Sequence, residues 1–406
     1  MATRVEGASP AAGGDVKVTT LITSAHFFSH FYILALPPLF GLLSTELGVS
    51  VAALGLGLAV LNVTTALSQP PIGFLVDRIG PAAILIVGHT AFAVAIGLLG
   101  LFPTYPALLA LMVLAGLGNA VYHPADYAVL AARVSPGRIG RAFSIHTFGG
   151  YLGFAMAPPV MVALTAWLGW QTALLVTGIA GLAVSLALLA SRADLSARER
   201  APARKPQEST RTDMRLLMSP PVLLSLLFFL MLAISHSGFT AFGVVVLQRL
   251  YGFDLATASL PLTVYLVVSA LGVLAGGWVA DRFGRHGLVV GLSSLVIGVA
   301  AGLFALFEMD LWPIVALFLV AGFFSGLIAP SRDMLVRQVT PPGASGKVFG
   351  FVMVGFNIGG LIAPPLYGLL VDLEMLRLVF WLVAIFSLLT IATIAGTGPA
   401  ARRGEA

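Results

Sequence analysis

The octapeptide GFLVDRIG at residues 73–80 returns as GWVADRFG at 277–284, about half a chain later, and both copies sit between long apolar runs. A short charged loop repeated at the same place in two hydrophobic halves predicts a membrane protein built by internal duplication. The composition agrees: 58% of the 406 residues are hydrophobic, 10% are charged, and the mean hydropathy is +1.00. A soluble domain of this size needs far more charge to cover its surface. The apolar residues come in windows of about 20, the length that crosses a bilayer as a helix. Alternating segments of about ten residues, the mark of a membrane barrel, do not occur.

Working outward from the repeat, the sequence predicts twelve spans, at 21–43, 51–76, 81–102, 107–133, 139–166, 171–191, 221–247, 255–280, 287–307, 312–337, 346–371 and 377–397. Gly and Pro recur inside them, as membrane helices tolerate. The fold class is all-α integral membrane, with pseudo-symmetric six-helix bundles at 21–191 and 221–397. Residues 1–20 read as a disordered cytoplasmic tail with no signal peptide. Residues 192–220, with Arg198, Arg200, Arg204, Lys205, Arg211 and Arg215, read as a cytoplasmic linker, either a solvated tether or a segment lying on anionic lipid. Residues 398–406 form a second cytoplasmic tail.

Of the 22 Lys and Arg residues, only Arg249 and Arg377 fall in loops after odd-numbered spans, and Arg332 lies within a span. The other 19 fall on the opposite side or in the tails, so the positive-inside rule places both termini in the cytoplasm. The net charge of +5 is therefore an expression of topology and predicts no nucleic-acid partner. With no cysteine in the chain, disulfide, iron–sulfur and thiolate–metal chemistry are excluded.

The duplication extends beyond the octapeptide. Ser135-Pro136-Gly137 through Phe143 aligns with Pro341-Pro342-Gly343 through Phe349, an offset of 206 residues. Gly153 and Pro158-Pro159 align at that offset with Gly359 and Pro364-Pro365, and Ser29-His30 aligns with Ser235-His236. Parallel repeats of six helices are a transporter architecture.

These residues resemble the major facilitator superfamily, from about residue 20 to 397. Its signature between the second and third helices, G-x-x-x-D-[RK]-x-G-[RK]-[RK], is matched by Gly73, Asp77, Arg78 and Gly80. Gly277, Asp281, Arg282, Gly284 and Arg285 echo it in the second half, whereas the first copy ends in Pro81-Ala82 in place of two basic residues. Within that family, Gly116-Leu117-Gly118-Asn119-Ala120-Val121-Tyr122-His123-Pro124 is similar to the fosmidomycin-resistance subgroup of exporters. The antiporter signature of the fifth helix is present only in part, as Gly149-Gly150, Gly153 and Pro158-Pro159. The resemblance implies a central cavity lined by helices 1, 4, 7 and 10, opened alternately to each side by rocking bundles. It also implies that the two motif segments hold the outward-facing state, Asp77 and Asp281 accepting hydrogen bonds from helix N-termini and basic side chains.

Ionisable groups inside spans are costly and usually functional. Here they are His26 and His30 on helix 1, His123 and Asp126 on helix 4, His236 on helix 7, and Arg332 and Asp333 on helix 10, with His89 and His146 on helices 3 and 5. At about 1.5 Å per residue, His30, His123 and His236 share a depth near the midplane. Asn119, His123 and Asp126 follow as i, i+4 and i+7, one stripe of a helix. Pro124 and Pro330 are expected to kink helices 4 and 10. His can load and unload a proton near neutrality, and Arg332 offers a fixed cation for a carboxylate or phosphonate. Asp126, at the duplicated position of Arg332, is expected to pair with it when the cavity is empty; Asp333 is expected to turn away toward Arg337. His89 and His146 read as structural, each bonded to a neighbouring carbonyl. Asn62 and Gln69 are amides in one span that need partners.

The expected site is thus His30, Asn119, His123, Asp126, His236 and Arg332, binding substrate and protons, with no resident metal and no cofactor. No Walker loop or hydrolase triad is present, so neither ATP-driven transport nor catalysis is predicted. The reading is a proton-coupled secondary transporter of a small, anionic or amphipathic organic solute, a monomeric antiporter for drug or metabolite efflux in a bacterial-type inner membrane. Its partners are the small-molecule substrate, protons and membrane lipid. An organic-anion uptake symporter and a non-transporting sensor or lipid-handling protein remain open as alternatives.

Overall fold

A computed structural model of the chain describes residues 12–196, 215–341 and 345–395. The expected tail segments 1–11 and 398–406 and the linker residues Arg198, Arg200, Arg204, Lys205 and Arg211 lie outside the described residues. Twelve helical spans are long and apolar enough to cross a membrane: Gly14–Leu47, Val51–Ile79, Pro81–Leu101, Tyr105–Arg133, Ile139–Leu168, Trp170–Ala190, Pro220–Thr240, Leu255–Phe283, His286–Leu306, Leu311–Val339, Val348–Asp372 and Leu376–Ile394. The described residues form helices and turns and no strand.

The N-terminal boundary differs from expectation. A helix already runs over Ala12–Ile33, so residues 12–20 are not a disordered tail. Their polar groups find local partners. The Asp15 carboxylate accepts from the Ser135 hydroxyl at 2.6 Å, and Lys17 pairs with Asp194 at 2.6 Å. These contacts tie the first helix to the segments that follow the fourth and sixth spans. The first span then bends at Pro37-Pro38 into a 3-10 turn, Pro37–Leu39, and a second helix, Phe40–Leu47.

The repeated octapeptides are not loops. Each forms the last two turns of its helix, Val51–Ile79 and Leu255–Phe283. Each also ends on a glycine with positive φ, Gly80 at +101° and Gly284 at +59°, where a side chain would be strained. Pro81 opens the third span at its first position, where a missing N–H breaks no intrahelical bond.

The same duplication reappears at the other end of these two helices. Gly48 and Gly252 close the preceding helices at φ +62° and +68°. Two residues on, Ser50 and Asp254 cap the second and eighth spans by accepting the N–H of Ala53 and Thr257, at 3.1 and 2.7 Å. The Thr257 N–H holds the exposed Asp254 carboxyl below its ordinary range.

The fourth span is broken into Tyr105–Asn119 and Tyr122–Arg133. Pro124 accounts for the break, since its ring meets the carbonyl of Ala120 four residues back and it has no N–H to offer. Pro330 was expected to act likewise, yet the helix Leu311–Val339 continues through it.

The two bundles meet tightly on the side away from the motif segments. Both Asp372 oxygens accept from the start of the second span, from the N–H of Val51 and of Ala52, each at 2.8 Å. Asn62 Nδ2 donates to the Gly360 carbonyl at 3.0 Å, and Phe40 packs against Phe242 with ring centroids 5.8 Å apart. At Gly55 and Gly368 the backbones approach so closely that a Cβ would strike Pro364 and Ala52 respectively. On the motif side the ends are apart. Phe74, Ile79, Trp278 and Phe283 are exposed there. Asp77 and Asp281 are exposed too, and neither bonds another described residue. The docking implied for these carboxylates is therefore not made among the described residues.

Candidate solute and proton site

The motif-side opening includes a cavity of ≈350 Å³ between the fifth, eighth and tenth spans, lined by Phe143, Thr147, Phe148, Tyr151, Val273, Leu274 and Pro330. Arg332 lies two residues beyond Pro330, within electrostatic reach of Tyr151. Its Nε donates to Asp333 Oδ1 at 2.8 Å, and its guanidinium lies 5.0 Å from the Phe229 ring centroid. Both Nη groups remain without a hydrogen bond to a described residue, so the fork that grips a carboxylate or phosphonate is available.

Two expected pairings thus change. Arg332 takes Asp333, its immediate neighbour, as its carboxylate, so Asp333 does not turn toward Arg337. Asp126 is fully buried inside the N-terminal bundle and does not meet Arg332. The break at Ala120–Val121 explains the second change. It rotates the stripe, so that Asn119 is half-buried, His123 is exposed and Asp126 points into the bundle.

Around Asp126 the structure gathers more histidine than the sequence predicted. His26 lies with its ring centroid 4.4 Å from His30, 3.9 Å from His146 and 5.8 Å from His123. His146 Nε2 stands 3.7 Å from Asp126 Oδ2. His26 Nδ1 donates to the backbone carbonyl of His146 at 3.1 Å, which leaves its Nε2 as a bare lone pair. Neither Asp126 oxygen, neither His146 nitrogen, nor His30 Nδ1 has a hydrogen-bond partner. All four histidines and the aspartate belong to spans 1, 4 and 5, within one bundle.

His146 is therefore not the carbonyl-anchored residue the sequence predicted. His89 does fit that description. Its Nε2 donates to the Gly181 carbonyl at 3.1 Å while Nδ1 accepts from the Tyr122 hydroxyl at 2.7 Å. Asn119 has both ends occupied, donating to Thr65 Oγ1 at 3.3 Å and accepting from Ser29 Oγ at 3.2 Å. It braces spans 1, 2 and 4. His236, in the other bundle, pairs with the Tyr265 hydroxyl at 3.0 Å beside a small cavity of ≈10 Å³ that Ser294, Ser325 and Ser387 also line. The expected midplane trio divides, with His30 and His123 in the N-terminal cluster and His236 apart from it.

His26 and His146 join the cluster although neither was in the expected site: His26 sits on a cavity helix but toward its cytoplasmic end, and His146 is on helix 5, outside the expected cavity lining. A better signal was that the N-terminal bundle carries Lys and Arg only at the ends of its spans, which leaves imidazoles as the basic groups nearest Asp126. Asp372 was missed altogether; it is the one carboxylate between residue 334 and the loop that follows span 11.

Comparison with known proteins agrees with this architecture. The model of the Major Facilitator Superfamily matches residues 22–257 and 228–404. The chain is 28% identical over 409 residues to the fosmidomycin resistance protein of Escherichia coli K12, covering 96% of this chain and 97% of that protein. It is 26% identical over 321 residues to the multi-drug resistance efflux pump PmrA of Streptococcus pneumoniae, covering 76% and 77% of the two chains. Among solved structures, a bacterial homologue of the human lysosomal transporter Spinster, inward-facing and occupied, superposes with a TM-score of 0.81 at 15% identity, over 96% of this chain and 97% of that one. The fold, the duplicated motif and the family match converge: this chain is a multi-pass membrane transporter of small solutes and belongs to the Major Facilitator Superfamily.

Proposed function

We propose that the protein is a proton-coupled antiporter that exports a small organic anion from the cytoplasm across a bacterial-type inner membrane, by rocking its two bundles about a central site. The observation that carries this reading is Arg332, a guanidinium within a span whose two Nη groups make no hydrogen bond to a described residue, beside the motif-side opening. By the positive-inside distribution that opening faces the cytoplasm, so the described conformation is the one that loads an export substrate. The E. coli relative named for fosmidomycin resistance supports both the direction and the charge, since fosmidomycin is a phosphonate.

In this reading the Arg332 fork holds the anionic group and Tyr151 closes on it from the facing bundle. The histidine–Asp126 cluster of the N-terminal bundle takes the proton, and His236 supports the anion site through Tyr265. The apolar side chains of Phe143, Phe148, Val273 and Leu274 favour a solute with an uncharged body, which keeps an amphipathic or lipid-like solute as the second reading.

The test is transport in proteoliposomes with fosmidomycin as probe, a pH gradient as the sole driving force and the membrane potential clamped. Protonophore-sensitive movement against the fosmidomycin gradient is expected, and the sign of the movement separates antiport from uptake symport. If fosmidomycin stays put while labelled lipid redistributes between leaflets, the second reading replaces the first.

A further inference from the structure

We propose that Asp126 is the proton store of the transport cycle, that in the described conformation it is a neutral carboxylic acid, and that His123, His26 and His146 connect it to the cavity. The proposal deepens the proton-coupled reading and rests on it for its role in transport, though not for the protonation itself. The juxtaposition is a dry carboxyl group surrounded by imidazoles. Asp126 is 0% exposed, and both of its oxygens lack a donor. A carboxylate can be buried when charge or hydrogen bonds meet it, and strongly resists burial when neither does.

The titratable groups gathered around it among the described residues come from four spans. From span 1 come His26 and His30, from span 5 His146, and from span 3 His89, which acts through Tyr122. Along its own helix lie Tyr122, His123 and Tyr127, whose ring centroid is 5.7 Å from that of His146. No Lys or Arg pairs with it among the described residues. The nearest basic atom, His146 Nε2, is 3.7 Å away, beyond hydrogen-bond reach. His26 cannot donate to it either, because its Nδ1 proton is committed to the His146 carbonyl. One added proton on Asp126 removes the charge, the larger part of the cost of burying the group there.

A metal ion is the competing way to satisfy these lone pairs. Ligand atoms of His26, Asp126 and His146 all lie within 4.8 Å of one another. The rings argue against it. His26 and His146 are stacked with an interplanar angle of 14°, so their in-plane lone pairs run in parallel planes. One ion cannot lie in both planes, as tetrahedral or octahedral coordination by two imidazoles requires.

The stack also gives the proton a way out. His123 is exposed and lies 5.8 Å from His26, whose ring covers His146, the residue next to Asp126. Water reaching His123 is the event that can exchange the stored proton. The anion anchor, Arg332, belongs to the other bundle. Proton and anion are thereby held on opposite bundles, and one bundle movement changes the access of both.

The experiment is infrared difference spectroscopy on the full-length protein in liposomes near neutral pH, without any solute. The wild type is expected to show the C=O stretch of a protonated carboxylic acid, absent from Asp126→Asn, shifted in Asp126→Glu and retained in Asp333→Asn. Loss of that band in Asp333→Asn instead, or no protonated band in the wild type, overturns the proposal. So does a stoichiometric cobalt(II) spectrum abolished by His26→Ala, which would assign the cluster to a metal.

Transport supplies the second readout. One proton exchanged per solute converts each unit of pH gradient into about a tenfold fosmidomycin ratio, and Asp126→Asn should reduce that ratio to about one with residual counterflow that is flat in pH. A variant that still accumulates fosmidomycin from the pH gradient contradicts the proposal. If the wild type moves no fosmidomycin, the function proposed above fails on that account, while the carboxyl band still decides the protonation.

Discussion

Arg332 was legible as a candidate site residue from the sequence because a lone guanidinium in an apolar span is difficult to explain otherwise. Its partner was not legible. Symmetry put Asp126 opposite it, but a carboxylate one residue away needs no particular conformation of the bundles to pair, and Asp333 takes that place at 2.8 Å. The fork left over sets the first prediction. Arg332→Ala should weaken binding of an anionic probe such as fosmidomycin by about tenfold to a hundredfold, the worth of a charge-assisted hydrogen bond or two. Arg332→Lys should recover only part of it, because an ammonium lacks the planar fork. Calorimetric titration of the detergent-solubilised variants checks both, and equal affinity in all three proteins would remove Arg332 from the site. His89 makes the contrasting case. With both nitrogens bonded across spans 3, 4 and 6, His89→Ala should lower the melting temperature, and the variant's pH gradient-driven uptake should keep the wild-type pH profile.

At the scale of elements, the helix ends were read less well than the helices. The sequence showed the octapeptide but not that it is helical up to Gly80 and Gly284. It showed Pro124 and Pro330 as equivalent kinks, yet only Pro124 interrupts its helix. The difference lies in their surroundings, because a proline bends a helix only as far as neighbouring packing allows, and single-sequence reasoning has no access to that packing. The cap formed by Asp372 is the clearest omission. Its carboxylate spans the two bundles to receive two N–H groups at the positive end of the second span, a placement that favours an anion. Opening the far side must break both bonds. Asp372→Ala should therefore favour the far-side-open state by up to about 2 kcal/mol, roughly a thirtyfold change in the ratio of states. Because the chain has no cysteine, single cysteines near Gly55 and Gly368 can be introduced without background. Their alkylation by a water-soluble maleimide from the far side should accelerate in the Asp372→Ala protein. An unchanged rate would mean that the bonds do not hold this side shut.

For the whole molecule, duplication was the most readable feature and conformation the least. Equal offsets recur in Gly48 and Gly252, Ser50 and Asp254, and Gly80 and Gly284, so the two bundles were specified by local rules that any single sequence displays. Which side is closed depends instead on contacts between bundles, and a transporter sequence must support both answers. Those contacts are nevertheless concentrated enough to be tested. At Gly55 a Cβ would collide with the Pro364 carbonyl across the interface, and backbone cannot yield as a flexible side chain can. Gly55→Val should thus exclude the described conformation while leaving each bundle intact. Rigid rocking makes a stronger demand, since separating the bundles on one side must bring them together on the other. Spin labels at Glu46 and Glu308 report the far side, and labels at Gly137 and Arg285 report the motif side; all four positions are exposed. In Gly55→Val the first distance should lengthen and the second should shorten, with the exposed Phe74, Ile79, Trp278 and Phe283 becoming covered as the motif ends meet. Both distances lengthening together would indicate loosened bundles, and the duplicated octapeptides would then lose their assigned part in closing the cytoplasmic side.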